Sequence, residues 1–172
     1  MDFKNHIRVI EDFPKKGISF KDITPIFQDP NLLKSLIDTI KQEVESEKID
    51  IVVGPESRGF LIGVPLAYAL SAGFVPVRKP GKLPFETIKC DYDLEYGSDS
   101  LEIHKDAIKK GQKVLIVDDL LATGGTISSV AKLVESLGGE VVSMNFIVEL
   151  TGLKGIEKLE KYKVSSLVKY EF

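Results

Sequence analysis

The sequence has very little cysteine and no internal repeats. Cys90 is the only cysteine among 172 residues, so an internal disulfide is impossible and a zinc site built on cysteines is disfavoured. The chain also has no low-complexity tract and no repeat of solenoid length. Its length fits one domain with one sizeable core, covering residues 1–172. A lone cysteine is typical of a reducing compartment, so we expect a cytoplasmic protein.

The sequence also lacks an excess of charge of either sign. It has 23 lysines and arginines against 26 aspartates and glutamates, a formal net charge of -3. This balance gives no overall electrostatic reason to expect binding to nucleic acid or to an anionic membrane surface. Any cations that matter for function must therefore be local.

Long apolar segments are almost absent. The first residues carry scattered charges without the apolar centre of a secretory signal. Residues 59–77 form a run of nineteen residues without a charge, close to the length that spans a bilayer. Pro65, Gly73 and Pro76 interrupt this run, so we expect a buried helix followed by a buried strand and no membrane span.

Apolar runs and turn residues predict alternating strands and helices. Asp29 before Pro30 is typical of a helix start, and apolar residues recur at helical spacing after it. The order predicted beyond this helix is strand 49–54, helix 58–72, strand 74–77, strand 113–118, helix 125–137 and strand 140–150. Strands that are apolar throughout are covered on both faces, which predicts an α/β fold with a largely parallel central sheet flanked by helices. Ligands of such sheets bind at the carboxyl ends of the strands.

Residues 79–103 do not fit this alternation. They lack helical periodicity and contain several prolines and glycines. The segment is too long for an ordinary connection in a compact domain. We therefore expect a mobile, hairpin-like flap over residues 79–103.

Cationic side chains follow the first two strands of the predicted sheet. Residues 54–59 form a turn that places Arg58 at the start of a helix, where free backbone N–H groups also attract anions. Arg78, Lys79 and Lys82 follow the next strand. Taken alone, the first turn could be a plain connection with a surface arginine, and the second a solubilising loop. Their shared position on one rim of the sheet favours an anion site.

Residues 114–126, VLIVDDLLATGGT, contain the strongest functional signal. Asp118 and Asp119 follow an apolar strand, and the turn of residues 123–126 offers hydroxyls and backbone N–H groups at a helix start, as phosphate sites do. The turn is neither a Walker A loop nor a dinucleotide-binding glycine motif. An Asp-Asp strand end alone could mark a metal site, a phospho-acceptor pocket or plain topology. The Thr-Gly-Gly-Thr turn removes most of these alternatives.

With these motifs, the sequence resembles the type I phosphoribosyltransferases, and among them the enzymes that act on adenine. Residues 114–126 resemble the family's site for phosphoribosyl pyrophosphate (PRPP). Five further motifs extend the resemblance over nearly the whole chain: DFPKKGISFKDITPIF, GPESRGF, RKPGKLP, LEYGSDSLEIHKDAI and VELTGLKGIEKL. The resemblance implies the type I phosphoribosyltransferase fold, with a small base-binding hood in residues 1–30. It also implies a homodimer and the reaction of adenine with PRPP, giving AMP and pyrophosphate, with Mg²⁺ carried on PRPP.

The resemblance assigns roles to residues of the PRPP site. The 5-phosphate would be held by Ala122, Thr123, Gly124, Gly125 and Thr126, and the ribose by Asp118 and Asp119, directly or through water on Mg²⁺. The pyrophosphate would be held by Arg58, Lys79 and Lys82, and a cis peptide is expected between Glu56 and Ser57. Neighbouring residues of a regular strand point to opposite faces, so both acids can reach one ligand only if the strand ends at or before them.

The resemblance also assigns residues to the base. Glu95 matches the family's proposed general acid or base at the purine ring, and Tyr96 would help to close the flap over the site. Adenine would be held by Ser19, Phe20, Lys21 and Leu150. Two of these depart from the family pattern: Ser19 replaces a common aliphatic residue, and Lys21 replaces a common arginine.

Two other functions remain open at the level of sequence. One is a phosphoribosyltransferase for another base, such as xanthine or uracil. Enzymes for 6-oxopurine bases tend to have an acid at the position of Ala122, so this alanine argues against those bases. The other is a regulator that binds PRPP without turning it over. Such regulators typically add a DNA-binding domain, and this chain has neither a helix-turn-helix pattern nor a basic stripe.

Overall fold

The apolar runs of the sequence form a five-stranded sheet in the computed structural model, which describes residues 2–93 and 98–171. The strands are β1 Arg8–Ile10, β2 Phe20–Asp22, β3 Ile51–Pro55, β4 Gly73–Val77, β5 Thr87–Asp93, β6 Ser98–His104, β7 Lys113–Leu121, β8 Glu140–Leu150 and β9 Val164–Tyr170. The α-helices are α1 Thr24–Gln28, α2 Pro30–Glu43, α3 Arg58–Leu70 and α4 Gly125–Ser136. Short 3₁₀ helices cover Phe3–His6, Thr151–Leu153 and Gly155–Leu159.

The central sheet has the strand order β4-β3-β7-β8-β9. Every neighbouring pair in it is parallel, which confirms the predicted α/β class. The strand with the Asp-Asp pair, β7, lies in the middle of the sheet between β3 and β8. Since parallel strands have their carboxyl ends at one edge, the segments that follow β3, β4 and β7 meet there.

The sheet is covered on both faces. Leu115 and Val117 of β7 belong to the apolar cluster that contains α2 and α3. Val114 and Ile116 belong to the cluster that contains α4. Side chains on both faces of β7 are therefore buried, which explains why its residues are apolar in succession and do not alternate between apolar and polar.

The helices begin where the sequence predicts. Asp29 accepts hydrogen bonds from the backbone N–H groups of Asn31 (2.8 Å) and Leu32 (3.0 Å), and α2 starts at Pro30.

Residues 59–77 form most of α3 and all of β4, and no described helix is long and apolar enough to cross a membrane. The expectation that this helix would be buried is wrong for one face, because Leu61, Val64 and Tyr68 are exposed. The short helix α1 was not predicted.

Two antiparallel hairpins lie outside the central sheet. β1 pairs with β2 near the N-terminus, within the segment predicted as the hood. β5 pairs with β6 from Thr87 opposite His104 to Asp93 opposite Ser98, within the segment predicted as the flap. The flap hairpin is joined to the end of β4, because Arg78 and Glu102 exchange backbone hydrogen bonds of 3.0 and 2.7 Å. Its mobility stays a prediction.

Candidate active site

Asp118 and Asp119 lie near the carboxyl end of β7. The strand continues to Leu121, so the expectation that it would end at or before the two acids is wrong. Both acids nevertheless line one cleft of about 540 Å³, together with Glu56, Ser57, Arg58, Leu120 and Thr126. The Asp118 side chain is directed toward the carboxyl end of the strand, since its Oδ1 accepts the backbone N–H of Asp119 at 2.9 Å.

Arg58 joins this cleft to the hood. Its Nε lies 2.8 Å from Oδ2 of Asp119, whose side chain is 5% exposed. The N–H does not point at that oxygen, which has no hydrogen-bond partner among the described residues. The guanidinium carbon of Arg58 also lies 5.4 Å from the ring centre of Phe20. Arg58 therefore supplies the positive charge next to the acid pair.

The electrostatics of the two acids follow from their burial. Burial and the neighbouring charge of Asp119 raise the pKa of Asp118 well above its ordinary value. Burial also raises the pKa of Asp119, although the charge of Arg58 opposes this effect. Two buried carboxylates side by side resist full ionisation unless further positive charge approaches them. The pair is therefore built to stabilise a ligand that is, or becomes, positively charged.

The turn after β7 has the geometry of an anion site. Gly124 has a φ of +77° and is the residue before α4. The backbone at the start of α4 offers N–H groups and the positive end of the helix dipole. A small cavity of about 80 Å³ lies at this turn and is lined by Asp118 and residues 120–127. The turn can therefore enclose a small anion directly beside the acid pair.

The lysine of the next strand end is already paired with acids. Nζ of Lys79 lies 2.9 Å from Oδ2 of Asp99 on β6, and this pairing raises the pKa of Lys79. The backbone N–H of Lys79 donates to Oε1 of Glu56 at 2.8 Å. Glu56 and Ser57 are joined by the expected cis peptide. Lys82 is exposed, and its backbone N–H donates to the carbonyl oxygen of Lys79 at 3.3 Å.

Arg78 behaves differently from the lysines that follow it. Its Nε lies 3.3 Å from Oε1 of Glu56, and its guanidinium stacks 5.9 Å from the ring centre of Phe60. Arg78 thus serves to hold the turn after β3. Glu56 contacts both Arg78 and the backbone of Lys79, so it joins the ends of β3 and β4.

The four residues assigned to the base lie around the hood and the last strands. Oγ of Ser19 donates to Oε1 of Glu11 at 2.9 Å, and Nζ of Lys21 donates to Oγ of Ser19 at 2.6 Å. Nζ of Lys21 also lies 4.7 Å from the ring centre of Tyr170, which is opposite Leu150 in the sheet. Lys21 and Leu150 are therefore close together through Tyr170, and Phe20 reaches the cleft through its contact with Arg58.

Sequence reasoning missed two residues of the flap hairpin. The hydroxyl of Tyr92 donates to Oδ2 of Asp99 at 3.3 Å, the same oxygen that contacts Lys79. Burial raises the pKa of Tyr92, whereas a hydrogen bond with the Thr126 side chain lowers it. Tyr92 and Asp99 thus connect Lys79 to the anion-binding turn. The weak alternation of residues 79–103 gave no sign of this contact, and Glu95 and Tyr96 lie outside the described residues.

Comparisons with known proteins place this chain in a family. The phosphoribosyl transferase domain family matches residues 22–171. A curated adenine phosphoribosyltransferase from Clostridium botulinum is 66% identical over 170 residues, which cover 99% of each chain. The crystal structure of adenine phosphoribosyltransferase from Thermoanaerobacter pseudethanolicus is 60% identical, with a TM-score of 0.95 over 98% of each chain. That of the Saccharomyces cerevisiae enzyme, complexed with an imino-altritol bisphosphate and adenine, is 48% identical, with a TM-score of 0.93 over 96% of each chain.

Proposed function

Because the chain belongs to the phosphoribosyltransferase family, and within it to the adenine phosphoribosyltransferases, we infer that it transfers the phosphoribosyl group of PRPP to adenine. The products are AMP and pyrophosphate, and the enzyme is a pentosyltransferase of purine salvage. One observation in the structure supports this function above all others. The acid pair, half-buried Asp118 and buried Asp119, shares one cleft with Arg58 at the start of α3 and with Thr126 at the start of α4.

The acid pair fits the part of PRPP that becomes positive. As the bond from ribose C1 to pyrophosphate breaks, positive charge develops on the sugar and negative charge on the leaving group. We propose that Asp118 and Asp119 accept hydrogen bonds from the ribose hydroxyls. Their raised pKa values support this role, because a cationic sugar offsets the cost of having both carboxylates ionised in a buried place.

The turn after β7 is proposed to hold the 5-phosphate. Backbone N–H groups of Ala122, Thr123, Gly124, Gly125 and Thr126, with the two threonine hydroxyls, would be its ligands. The left-handed conformation of Gly124 and the start of α4 support this assignment. The turn lines one small cavity with Asp118, and Thr126 also lines the larger cleft of both acids, so a single sugar phosphate could contact the turn and the acid pair.

The cations on the next two strand ends are proposed to hold pyrophosphate. Arg58 and Lys79 each have a carboxylate within 3 Å, Asp119 at 2.8 Å and Asp99 at 2.9 Å. Pyrophosphate would replace these carboxylates as the partner of Arg58 and Lys79, and Lys82 would approach it from the exposed loop. The proposal is supported by the position of Arg58 in the same cleft as the acid pair.

Mg²⁺ is proposed to enter with PRPP. Among the described residues, no three His, Cys, Asp or Glu side chains cluster closely enough to cage a metal ion. The carboxylates of Asp118 and Asp119 would orient water on a metal that is itself held by PRPP oxygens. When bound, the ion would neutralise negative charge on the pyrophosphate. The role of this chain is then to orient the metal-bound water through Asp118 and Asp119.

Ser19, Phe20, Lys21 and Leu150 are proposed to hold adenine. The support is their location, with Phe20 against Arg58 and both Lys21 and Leu150 beside Tyr170. Glu95 as general acid or base and Tyr96 as a closing residue rest on the family resemblance alone. A homodimer and a cytoplasmic location are further proposals. The exposed apolar side chains of α3, Leu61, Val64 and Tyr68, support self-association.

Base specificity can be tested directly. Purified protein is incubated with Mg-PRPP and, in separate reactions, adenine, hypoxanthine, guanine, xanthine and uracil, and pyrophosphate release is measured. We expect adenine to be strongly preferred. Preference for another base would replace the proposed substrate, and the absence of turnover with all five would favour a PRPP-sensing regulator.

The role of Glu95 needs its own test. In the Glu95→Gln variant we expect kcat at saturating substrates to fall by about 10²-fold, because a positioned acid or base contributes on that order. Glu102→Gln in the same flap is the matched control and keeps kcat near that of the wild type. An unchanged single-turnover rate of Glu95→Gln would remove Glu95 from the chemistry, even if product release limits steady-state turnover.

A further inference from the structure

One sequence motif contributes only Leu150 to the site described above. The segment VELTGLKGIEKL continues beyond β8 into the 3₁₀ turn Thr151–Leu153, and Lys154 then adopts a left-handed φ of +53°. The second 3₁₀ helix, Gly155–Leu159, follows immediately. Gly155 is buried, although it lies in a mostly exposed connection. The contacts of Gly155 with the turn after β7 explain its burial.

Gly155 lies directly against the anion-binding turn. A Cβ on Gly155 would overlap the carbonyl oxygen of Ala122 and lie 2.9 Å from the backbone nitrogen of Gly124. From the other side, a Cβ on Gly124 would lie 2.5 Å from the carbonyl oxygen of Gly155. The two segments are thus in backbone-to-backbone contact, and neither has room for a methyl group.

These contacts involve the main chain, which cannot move aside as a flexible side chain can. An alanine at position 155 would have to displace Ala122 and Gly124, or be displaced itself. Displacement of residue 155 is restricted at the other end of the 3₁₀ helix, because the Leu159 side chain is fully buried in the cluster with α4. A substitution at Gly155 would therefore push on the turn.

We propose that Gly155 is a positioning residue for the PRPP site: its backbone supports the outside of the 5-phosphate turn and fixes the direction of the turn's N–H groups. This inference rests on the proposed role of residues 122–126. It assigns a function to residues 151–155, which follow Leu150 and have no other role in the proposed site. Since misplacement of binding groups by about 1 Å can change rates by about 10²-fold, a small displacement of the turn should be easily measured.

The test is the Gly155→Ala variant. We expect KM for PRPP to rise by about tenfold or more, while KM for adenine and kcat at saturating PRPP stay within about twofold. A merely structural role would lower the active fraction, and hence apparent kcat, without a selective change in the KM for PRPP. Fluorescence-monitored melting measures the stability of each protein alongside the kinetics.

Gly139→Ala is the matched control. A Cβ on Gly139 would lie 2.9 Å from side-chain carbons of both Ile108 and Val134, beyond the far end of α4. This variant is similarly overpacked, so its melting temperature should fall while its KM for PRPP stays at the wild-type value. An equal rise of KM in both variants, or no rise in Gly155→Ala, would overturn the proposal.

A second pair of variants covers the case in which Gly155→Ala does not fold. Leu159→Ala removes the anchor of the 3₁₀ helix without adding atoms, and we expect a selective rise of about threefold in KM for PRPP. Leu36→Ala opens a comparable cavity in the cluster with α2 and leaves KM for PRPP unchanged. If the two variants do not differ in KM for PRPP, the proposal that this segment supports the turn is wrong.

Thr123→Ala separates this inference from the proposed function. Loss of a hydrogen bond to a charged phosphate should raise KM for PRPP by about tenfold. If Thr123→Ala responds and the Gly155 and Leu159 variants do not, the 5-phosphate turn stands and only the role of Gly155 fails. If Thr123→Ala does not respond, the proposed role of the turn fails first.

Discussion

The two halves of the proposed PRPP site, one for the sugar phosphate and one for pyrophosphate, are constructed in different ways. The sugar-phosphate half, residues 118–126, is one continuous segment whose acids, turn and helix start follow each other along the chain. The pyrophosphate half consists of Arg58, Lys79 and Lys82 from two separate strand ends. In the first half, a glycine backbone is supported by another glycine backbone. In the second, Arg58 and Lys79 are held by carboxylates from other segments.

This difference indicates how each half meets its ligand. In the proposed function, the phosphate would meet backbone N–H groups at the start of α4. The cations must leave or share their carboxylates before they can hold pyrophosphate. Asp119 belongs to both halves, since it would contact the ribose and it pairs with Arg58 at 2.8 Å. Variants of individual acids can therefore test whether the two halves are independent.

The largest effect is expected from Asp119→Asn. This change removes the negative charge next to the developing positive charge of the sugar and also releases Arg58. We expect kcat/KM for PRPP to fall by about 10²- to 10³-fold, the effect typical of losing one preorganised electrostatic group. Steady-state kinetics with both substrates varied measures the loss.

Asp50→Asn is its control. Oδ2 of Asp50 accepts the backbone N–H of Lys113 at 2.8 Å, at the opposite end of β7. The amide oxygen can keep this hydrogen bond, so kcat/KM should not change. A fall of less than about threefold in Asp119→Asn would show that the acid does not stabilise the transition state.

A smaller effect, on stability, is expected from Asp118→Asn. The pKa of Asp118 is raised in the folded protein, so the folded state binds more protons than the unfolded state above the ordinary carboxyl pKa of about 3.9. The free energy of unfolding of the wild type therefore falls as pH rises through that window. Asparagine has no such titration, and the variant should gain on the order of 1 kcal/mol at about pH 8 relative to the wild type at the same pH.

Urea denaturation of both proteins at about pH 5 and about pH 8 measures this difference. We expect the advantage of Asp118→Asn to be larger at the higher pH, together with a loss of activity. An equal advantage at both values would mean that ionisation of Asp118 is not the cause. Asp38→Asn, on the exposed face of α2, controls for general charge effects, since its partner Lys34 is a surface residue.

The smallest effect is expected from Asp99→Asn. This change removes the flap carboxylate that holds Nζ of Lys79 at 2.9 Å, and so frees the lysine for pyrophosphate. Exposed ion pairs contribute about 0.2–1 kcal/mol, so KM for PRPP should fall by about 1.4- to fivefold at low salt. The gain should shrink as salt screens the pair.

Asp91→Asn is the neighbouring control in the same hairpin. Asp91 is exposed and pairs with Lys89 and Ser100, so its removal should leave KM for PRPP unchanged. A higher KM for PRPP in Asp99→Asn would contradict the idea that Asp99 competes with pyrophosphate for Lys79. It would mean that Asp99 positions Lys79 for the ligand, and that the pyrophosphate half is as preorganised as the turn.

Much of the fold could be predicted from local pattern. The start of α2 is encoded by Asp29 and Pro30, which cap and begin a helix without help from distant residues. The parallel sheet follows from strands that are apolar on both faces. The end of β7 could not be read in the same way, because the strand continues past two acids that the sequence marks as a boundary. Pairing with β8, which reaches Leu121, extends it.

By itself, the sequence determined the order of strands and helices, the adjacency of the acid pair and the anion-binding turn, and the family to which these motifs belong. These features depend on residues that are neighbours along the chain. Only the tertiary structure decided that Arg58 meets Asp119, that Asp99 contacts Lys79 and that Gly155 lies against the turn. Such contacts join segments that are distant in sequence, and the packing of the whole sheet and its connections brings them within a few ångströms.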